Sequence, residues 1–184
     1  MILAHHLMNH KKNKKRMRKI IFLDIDGVIA IADDSGGLWG LSDKKQELLS
    51  DILAATDAEI VLTSCWRKSD LEETREYMTK KGFLFSKRII GITIRAYHYI
   101  EKGVHLSIPR GVEIKQWIDT NIHSNNGKDW KRKEIGKEWN YIILDDDTDM
   151  LLEHKDHFIQ CNSMEGLTEE QVAIAVTILN TVKE

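Results

Sequence analysis

Asp24 and Asp26 stand one residue apart at the end of an apolar run, in IIFLDIDGVIA at residues 20–30. The run reads as a strand buried on both faces of a parallel sheet. Carboxylates at its end sit at the lip of that sheet, where α/β proteins place their ligand sites. Two such charges repel at neutral pH unless a cation lies between them, and a hard, oxygen-seeking ion such as Mg²⁺ meets that need. Gly27 lets the chain turn sharply and bring backbone close to a ligand. An ordinary Asp-Gly turn after a strand uses the same residues, so this motif does not decide by itself.

Three further segments carry chemistry-bearing residues. EIVLTSCWR at residues 59–67 closes an apolar run on Thr63 and Ser64, with Arg67 just beyond. RGVEIKQWI at 110–118 brings Arg110 and Lys115, and YIILDDDTDM at 141–150 closes on Asp145, Asp146 and Asp147. In order and in placing, the four segments resemble the signatures of the haloacid dehalogenase superfamily, over residues 18–180. The wording TSCWR, RGxEIxxWI and LDDD is most similar to small domains of this type in RNA-repair proteins and to polynucleotide phosphatase domains.

The resemblance implies a phosphatase. Asp24 would attack phosphorus and form an aspartyl-phosphate. Asp26 would protonate the leaving oxygen and then deprotonate the hydrolytic water. A Ser or Thr after the second strand would hydrogen-bond the transferring phosphoryl group. Thr63 directly ends the apolar run and is preferred, with Ser64 the alternative. A basic residue of the third segment would grip phosphate. Arg110, beside a helix start, is preferred over Lys115, because helix N-termini face the same edge as strand C-termini. Mg²⁺ would be held by Asp24, the Asp26 backbone carbonyl and Asp145, with Asp146 close or acting through water. Asp147 and Asp149 are weaker candidates. Arg67 could meet a passing substrate phosphate, or could form only a surface ion pair.

The elements that must position these residues are legible in outline. Strands are expected at about Lys19–Ile25, Glu59–Thr63, Phe83–Thr93, Tyr141–Leu144 and Phe158–Cys161. Leu48, Leu49, Ile52 and Leu53 mark one helix. Ser69 and Glu72 read as a capping box opening another, which Gly82 ends. Pro109 and Gly111 precede a helix with Ile114, Trp117, Ile118 and Ile122 on one face, and Thr168 and Gln171 box a last one. Residues 94–108 have no readable period. Alternating strands and helices predict an α/β fold, a doubly wound, Rossmann-like parallel sheet with helices on both faces. Right-handed crossovers gather the strand C-termini at one edge. The intervals between strands leave room for only a modest insertion, so a capless or minimally capped site is expected. Such openness suits a macromolecular substrate such as an RNA or DNA end. Trp39, in a glycine-rich loop, could be a lid residue. Trp66 is core or a platform for a base, Trp117 is core, and Trp130 and Trp139 flank a basic KRK stretch as packing or interaction surface.

A chain of 184 residues with 42% hydrophobic and 30% charged residues supports one domain with a proper core. No apolar stretch reaches membrane-spanning length, MILAHHLM is a poor signal peptide, and the cytoplasm is the default compartment. Cys65 and Cys161 make no disulfide framework and read as buried small hydrophobes, with Cys65 beside the site. Residues 11–19 hold seven of the 27 basic residues and none of the 29 acidic ones. Residues 1–17 are therefore expected to be a basic, solvated extension of a domain at 18–184, with Met17 a possible start and nucleic acid a possible contact. His5, His6 and His10 lack a metal-ligand spacing. Other readings are a small-molecule phosphatase for nucleotides or sugar phosphates, a receiver-like module, and a non-catalytic nucleic-acid-binding protein. The acid at Asp26 argues against the receiver, whose phosphoaspartate must persist.

Overall fold

Ile20, Ile21, Phe22 and Leu23 have no exposed surface, because the strand they form lies at the middle of the sheet. The computed structural model describes residues 16–31, 40–100, 104–123 and 134–183. In chain order the elements are β1 (Arg18–Leu23), a small antiparallel pair β2 (Ala30–Ile31) and β3 (Gly40–Leu41), α1 (Asp43–Thr56), β4 (Glu59–Leu62) and α2 (Leu71–Lys80). Then come β5 (Ile89–Ile92), the hairpin β6 (Tyr97–Ile100) and β7 (Val104–Ser107), α3 (Arg110–Ile118), β8 (Trp139–Asp145), β9 (Phe158–Gln160) and α4 (Glu169–Asn180). Five strands make one parallel sheet in the order β5-β4-β1-β8-β9. The winding reverses at β1, so the expected doubly wound, Rossmann-like α/β fold is the one observed. A crevice opens where the reversal falls, at the carboxyl ends of β1, β4 and β8.

Strand side chains alternate, and each face has its own core. Ile21 and Leu23 join Leu49 and Ile52 of α1 and Ala175 and Leu179 of α4. Ile20 and Phe22 join Ile114, Trp117 and Ile118 of α3. Phe22 meets the Trp117 ring edge-on at 5.5 Å. Each such buried side chain stabilises the fold by about 1.5–3 kcal/mol in transfer terms, which holds the helices against the sheet and fixes the loops between them.

Several local expectations shift. β1 ends at Leu23, two residues early, because Ile25 turns the chain: its carbonyl accepts from Val28, Ile29 and Ala30. The cap of α2 is Asp70, not Ser69; Asp70 accepts from the Glu73 N–H at 2.8 Å, and Glu73 reaches back to Ser69. Gly82 ends α2 as expected, at φ 89°. Of the stretch Phe83–Thr93 only Ile89–Ile92 is a strand, since Phe83 and Phe85 pack edge-to-face at 5.8 Å and Ser86–Arg88 forms a 3₁₀ turn. The unreadable 94–108 holds the β6–β7 hairpin. α3 begins at Arg110 itself and passes into a π-helical turn, Asp119–His123, that still buries Ile122. The Thr168–Gln171 capping box is present.

Where the basic block runs into β1, its exposed side chains pair across the surface. Arg16 pairs with Asp57 at 2.6 Å, Arg18 with Glu59 at 2.7 Å, and Lys19 bonds Asn180. The rest of the block, the three early histidines, Trp39 and Trp130 lie outside the described residues. Trp139 is buried and stacks on Tyr141, so it is packing. Among the described residues no helix is long and apolar enough to cross a membrane.

Candidate active site

Sheet hydrogen bonding continues just past the strands and fixes the residues that follow them. The Asp24 N–H donates to the Leu144 carbonyl and the Thr63 N–H to that of Leu23, each at 2.9 Å. Asp145 is the last residue of β8, and its carbonyl accepts from Cys161 at 2.9 Å. Asp24, Thr63 and Asp145 thereby line up on three adjacent strands. One ligand oxygen from each of Asp24, Asp145 and Asp146 lies within 4.8 Å of the others. Asp26 contributes no side chain to this group.

Gly27 is required twice over. Its φ is 71°, and a Cβ there would lie 2.4 Å from Oδ2 of Asp146. What approaches the turn closely is thus a carboxylate of the cluster.

Arg110 projects from the first turn of α3 between the acids. Its Nη1 stands 3.6 Å from both Asp24 and Asp145 and bonds the Thr63 carbonyl. The helix start is anchored by Asp149, which accepts from the Arg110 N–H at 2.8 Å. Gly111 lets α3 press on the chain after β8, for a Cβ would meet the Leu151 nitrogen at 2.4 Å.

Burial pushes the Asp24 carboxyl above its ordinary range. Arg110, Ser64 and the Ile25 N–H, which donates to Oδ1 at 2.8 Å, pull it back. Burial, then Asp24, push Asp145 up to about 8 despite Arg110. Oδ2 of Asp145 and the hydroxyl of Thr63 are buried without a hydrogen-bond partner among the described residues. Crowded, desolvated carboxylates with an orphaned oxygen fit a divalent cation.

Residues 20–172 match the family described as "HAD domain in Swiss Army Knife RNA repair proteins". The chain belongs to that family. No curated protein matches it.

The other expected site residues of this HAD domain divide. Ser64 stays beside Asp24 and accepts from the Trp66 N–H at 3.3 Å. Lys115 points away, to Asp119 at 2.9 Å and Glu153 at 3.7 Å, because it sits a turn inside α3 and off its apolar stripe. Arg67 is neither exposed nor a surface pair: it turns inward and meets Glu113 at 3.0 Å, with both side chains nearly inaccessible. Cys65 is exposed, not buried, with its thiol 3.1 Å from Oδ2 of Asp26. Partial burial and that carboxylate push the thiol up, away from thiolate. Cys161 is buried, as expected.

Trp66 is the residue whose part sequence reasoning missed. Its indole N–H donates to both oxygens of Asp26, at 2.9 and 3.0 Å, and its ring meets Tyr77 edge-on. Only its adjacency to the site was visible beforehand. Glu113 left a better signal, an acid one turn before Trp117 on an apolar stripe, which demands a buried partner.

Proposed function

We propose that this HAD domain is a Mg²⁺-dependent phosphatase that hydrolyses a terminal phosphomonoester of a polynucleotide through an aspartyl-phosphate. The observation that carries the reading is the junction of Asp24, Asp145 and Arg110 at one sheet edge, with the free Thr63 hydroxyl beside them. The family's link to RNA repair supports the nucleic-acid substrate.

Mg²⁺, held by Asp24, the Asp26 carbonyl and Asp145 with Asp146 close by, would supply charge neutralisation for the phosphoryl oxygens. Arg110 and the Thr63 hydroxyl orient the phosphate by donating hydrogen bonds to its oxygens. A carboxylate oxygen of Asp24 attacks phosphorus, and the bond to the leaving oxygen breaks. Asp26 gives its proton to that oxygen. Asp26, now a base, takes a proton from water as the water attacks phosphorus, and the P–O bond to Asp24 breaks. Inorganic phosphate and the free Asp24 carboxylate result. General acid–base help of this kind is worth about 10²- to 10⁴-fold.

The test is phosphate release with Mg²⁺ from oligonucleotides phosphorylated at the 3′ or the 5′ end, beside free nucleotides and sugar phosphates. A higher kcat/KM on an oligonucleotide end supports the reading. Preference for a free nucleotide or sugar phosphate would make the domain a small-molecule phosphatase. No release from any of them would end the hydrolytic assignment.

A further inference from the structure

A groove of about 780 Å³ opens beside the site, between the loop after β4 and the chain after β5. Its apolar lining is Leu71, Ile92 and the half-exposed Ile94, and its charged lining is Arg67, Lys68, Asp70 and Arg95. Two of these charges are already committed. Arg67 is neutralised by Glu113, and Asp70 caps α2.

Lys68 and Arg95 are different. Arg95 is exposed, and its Nη2 bonds the carbonyls of Cys65 at 2.6 Å and Arg67 at 3.4 Å. Lys68 holds its ammonium 3.6 Å over the Tyr77 ring. Neither has a carboxylate partner among the described residues. The groove lies close to the site: Arg95 bonds the Cys65 carbonyl at 2.6 Å, and the Cys65 thiol stands 3.1 Å from Oδ2 of Asp26.

We infer that this groove binds the polynucleotide strand behind the terminal phosphate. Arg95 and Lys68 take the phosphodiester charges, and an unpaired base lies against the apolar lining of Leu71 and Ile94. A sugar phosphate or mononucleotide carries no phosphodiester to reach these cations. A strand carries one negative charge per nucleotide and offers flat apolar faces, which match basic side chains beside an apolar lining. The inference rests on the phosphatase reading and names how its substrate is held.

The experiment compares kcat/KM on end-phosphorylated single-stranded DNA and RNA oligonucleotides with kcat/KM on p-nitrophenyl phosphate, at several salt concentrations. In Lys68→Ala with Arg95→Ala, the ratio of oligonucleotide to p-nitrophenyl phosphate should fall at least ~10-fold, and the salt slope should flatten by about one unit per cation. Lys87→Ala, an exposed charge just before β5 at the opposite edge of the sheet, should move neither. Lys68→Ala alone separates charge from scaffolding, because Lys68 holds no loop carbonyl, and it should lower the ratio on its own. An unchanged ratio and slope in the double variant, with oligonucleotides still turned over, would overturn the groove and leave the phosphatase reading standing. An equal loss on both substrates would overturn it too, by reducing Arg95 to a prop for residues 65–67. Wild-type protein that turns over p-nitrophenyl phosphate but no oligonucleotide would remove the substrate reading itself.

Discussion

Two arginines, one buried and one half-buried, meet the same sheet edge, and they are matched differently. Arg67 faces one acid. Its guanidinium bonds Glu113 at 3.0 Å, the Ile94 carbonyl at 3.0 Å and the Thr93 hydroxyl. Arg110 faces two acids, Asp24 and Asp145, both at 3.6 Å, with Asp146 close behind. The first is a charge-balanced pair, its Nε unbonded among the described residues, that ties the β4 loop to α3. The second leaves negative charge uncompensated in a desolvated place, and that imbalance suits a cation and an anionic substrate. The chemical role follows from the count of partners, not from the residue type.

The sharpest way to break this comparison is to remove an acid from the unbalanced side. Asp24→Asn deletes the proposed nucleophile, so turnover should drop at least ~10³-fold. The cation-free protein should keep or gain thermal stability, because two mutually repelling buried carboxylates become one. Turnover near wild type would end the aspartyl-phosphate mechanism. A folded but less stable variant would show that Asp24 is structurally paired after all.

Exchanging the arginines separates the two roles. Arg67→Met leaves Glu113 buried and unpaired, which costs about 3–5 kcal/mol and lowers the melting temperature by roughly 10 °C. Arg110→Met should cost less stability, because Asp24 and Asp145 are left facing each other and can share a proton, whereas Glu113 is left without a charged partner. It should cut kcat/KM by about 10²- to 10³-fold, as loss of a donor to the transferring group does. Thermal melts and phosphate release on both variants decide it, and a reversed pattern would reverse the assignments.

The imbalance also fixes a pH dependence. Asp24 and Asp145 titrate higher in the folded chain than their ordinary value near 3.8, with Asp145 reaching about 8. Between those limits the cation-free native state binds more protons than the unfolded chain. The contribution of these two acids to its stability is therefore full below about 4 and is lost as pH rises towards 8. Melting in EDTA across that range should show the decline, and added Mg²⁺ should restore more at pH 8 than at pH 5. A flat profile in EDTA would mean that Arg110 already balances the cluster.

The three central strands were legible to within about two residues, because a buried parallel strand is a continuous apolar run. Asp24, Thr63 and Asp145 were readable for that reason, whereas the helix expected after Gly111 begins at Arg110 itself. Inward-turning long side chains were not. Nothing in TSCWR shows that Arg67 bends under the sheet edge while Trp66 turns to Asp26, since both depend on Glu113 and Tyr77, far off in sequence. The hairpin at 97–107 was missed although Tyr97-His98-Tyr99 and Val104-His105-Leu106-Ser107 alternate, because each strand is only four residues long, too short for a period to stand out. The cap shifted from Ser69 to Asp70 because two good capping residues stand side by side, and only the geometry chooses between them.

The smallest expected effect concerns Trp66, the neighbour of Arg67, which packs half-buried against the core beside Tyr77. Its indole N–H spans both oxygens of Asp26, so it fixes where that carboxyl points. Trp66→Phe removes the donor and keeps the edge-on contact with Tyr77, so the fold should hold. The consequence should depend on the leaving group. An alkyl alcohol needs a proton to depart, and a misdirected acid forfeits part of a ~10²- to 10⁴-fold contribution. A nitrophenolate leaves without one. kcat/KM for an alkyl phosphate should therefore fall about 10-fold and that for p-nitrophenyl phosphate far less. Asp26→Asn should give the same selectivity with a larger loss. Equal losses on both substrates would make Trp66 packing alone. A raised KM for oligonucleotides with kcat unchanged would make it the base platform instead, and Asp26 would then need another explanation for its place.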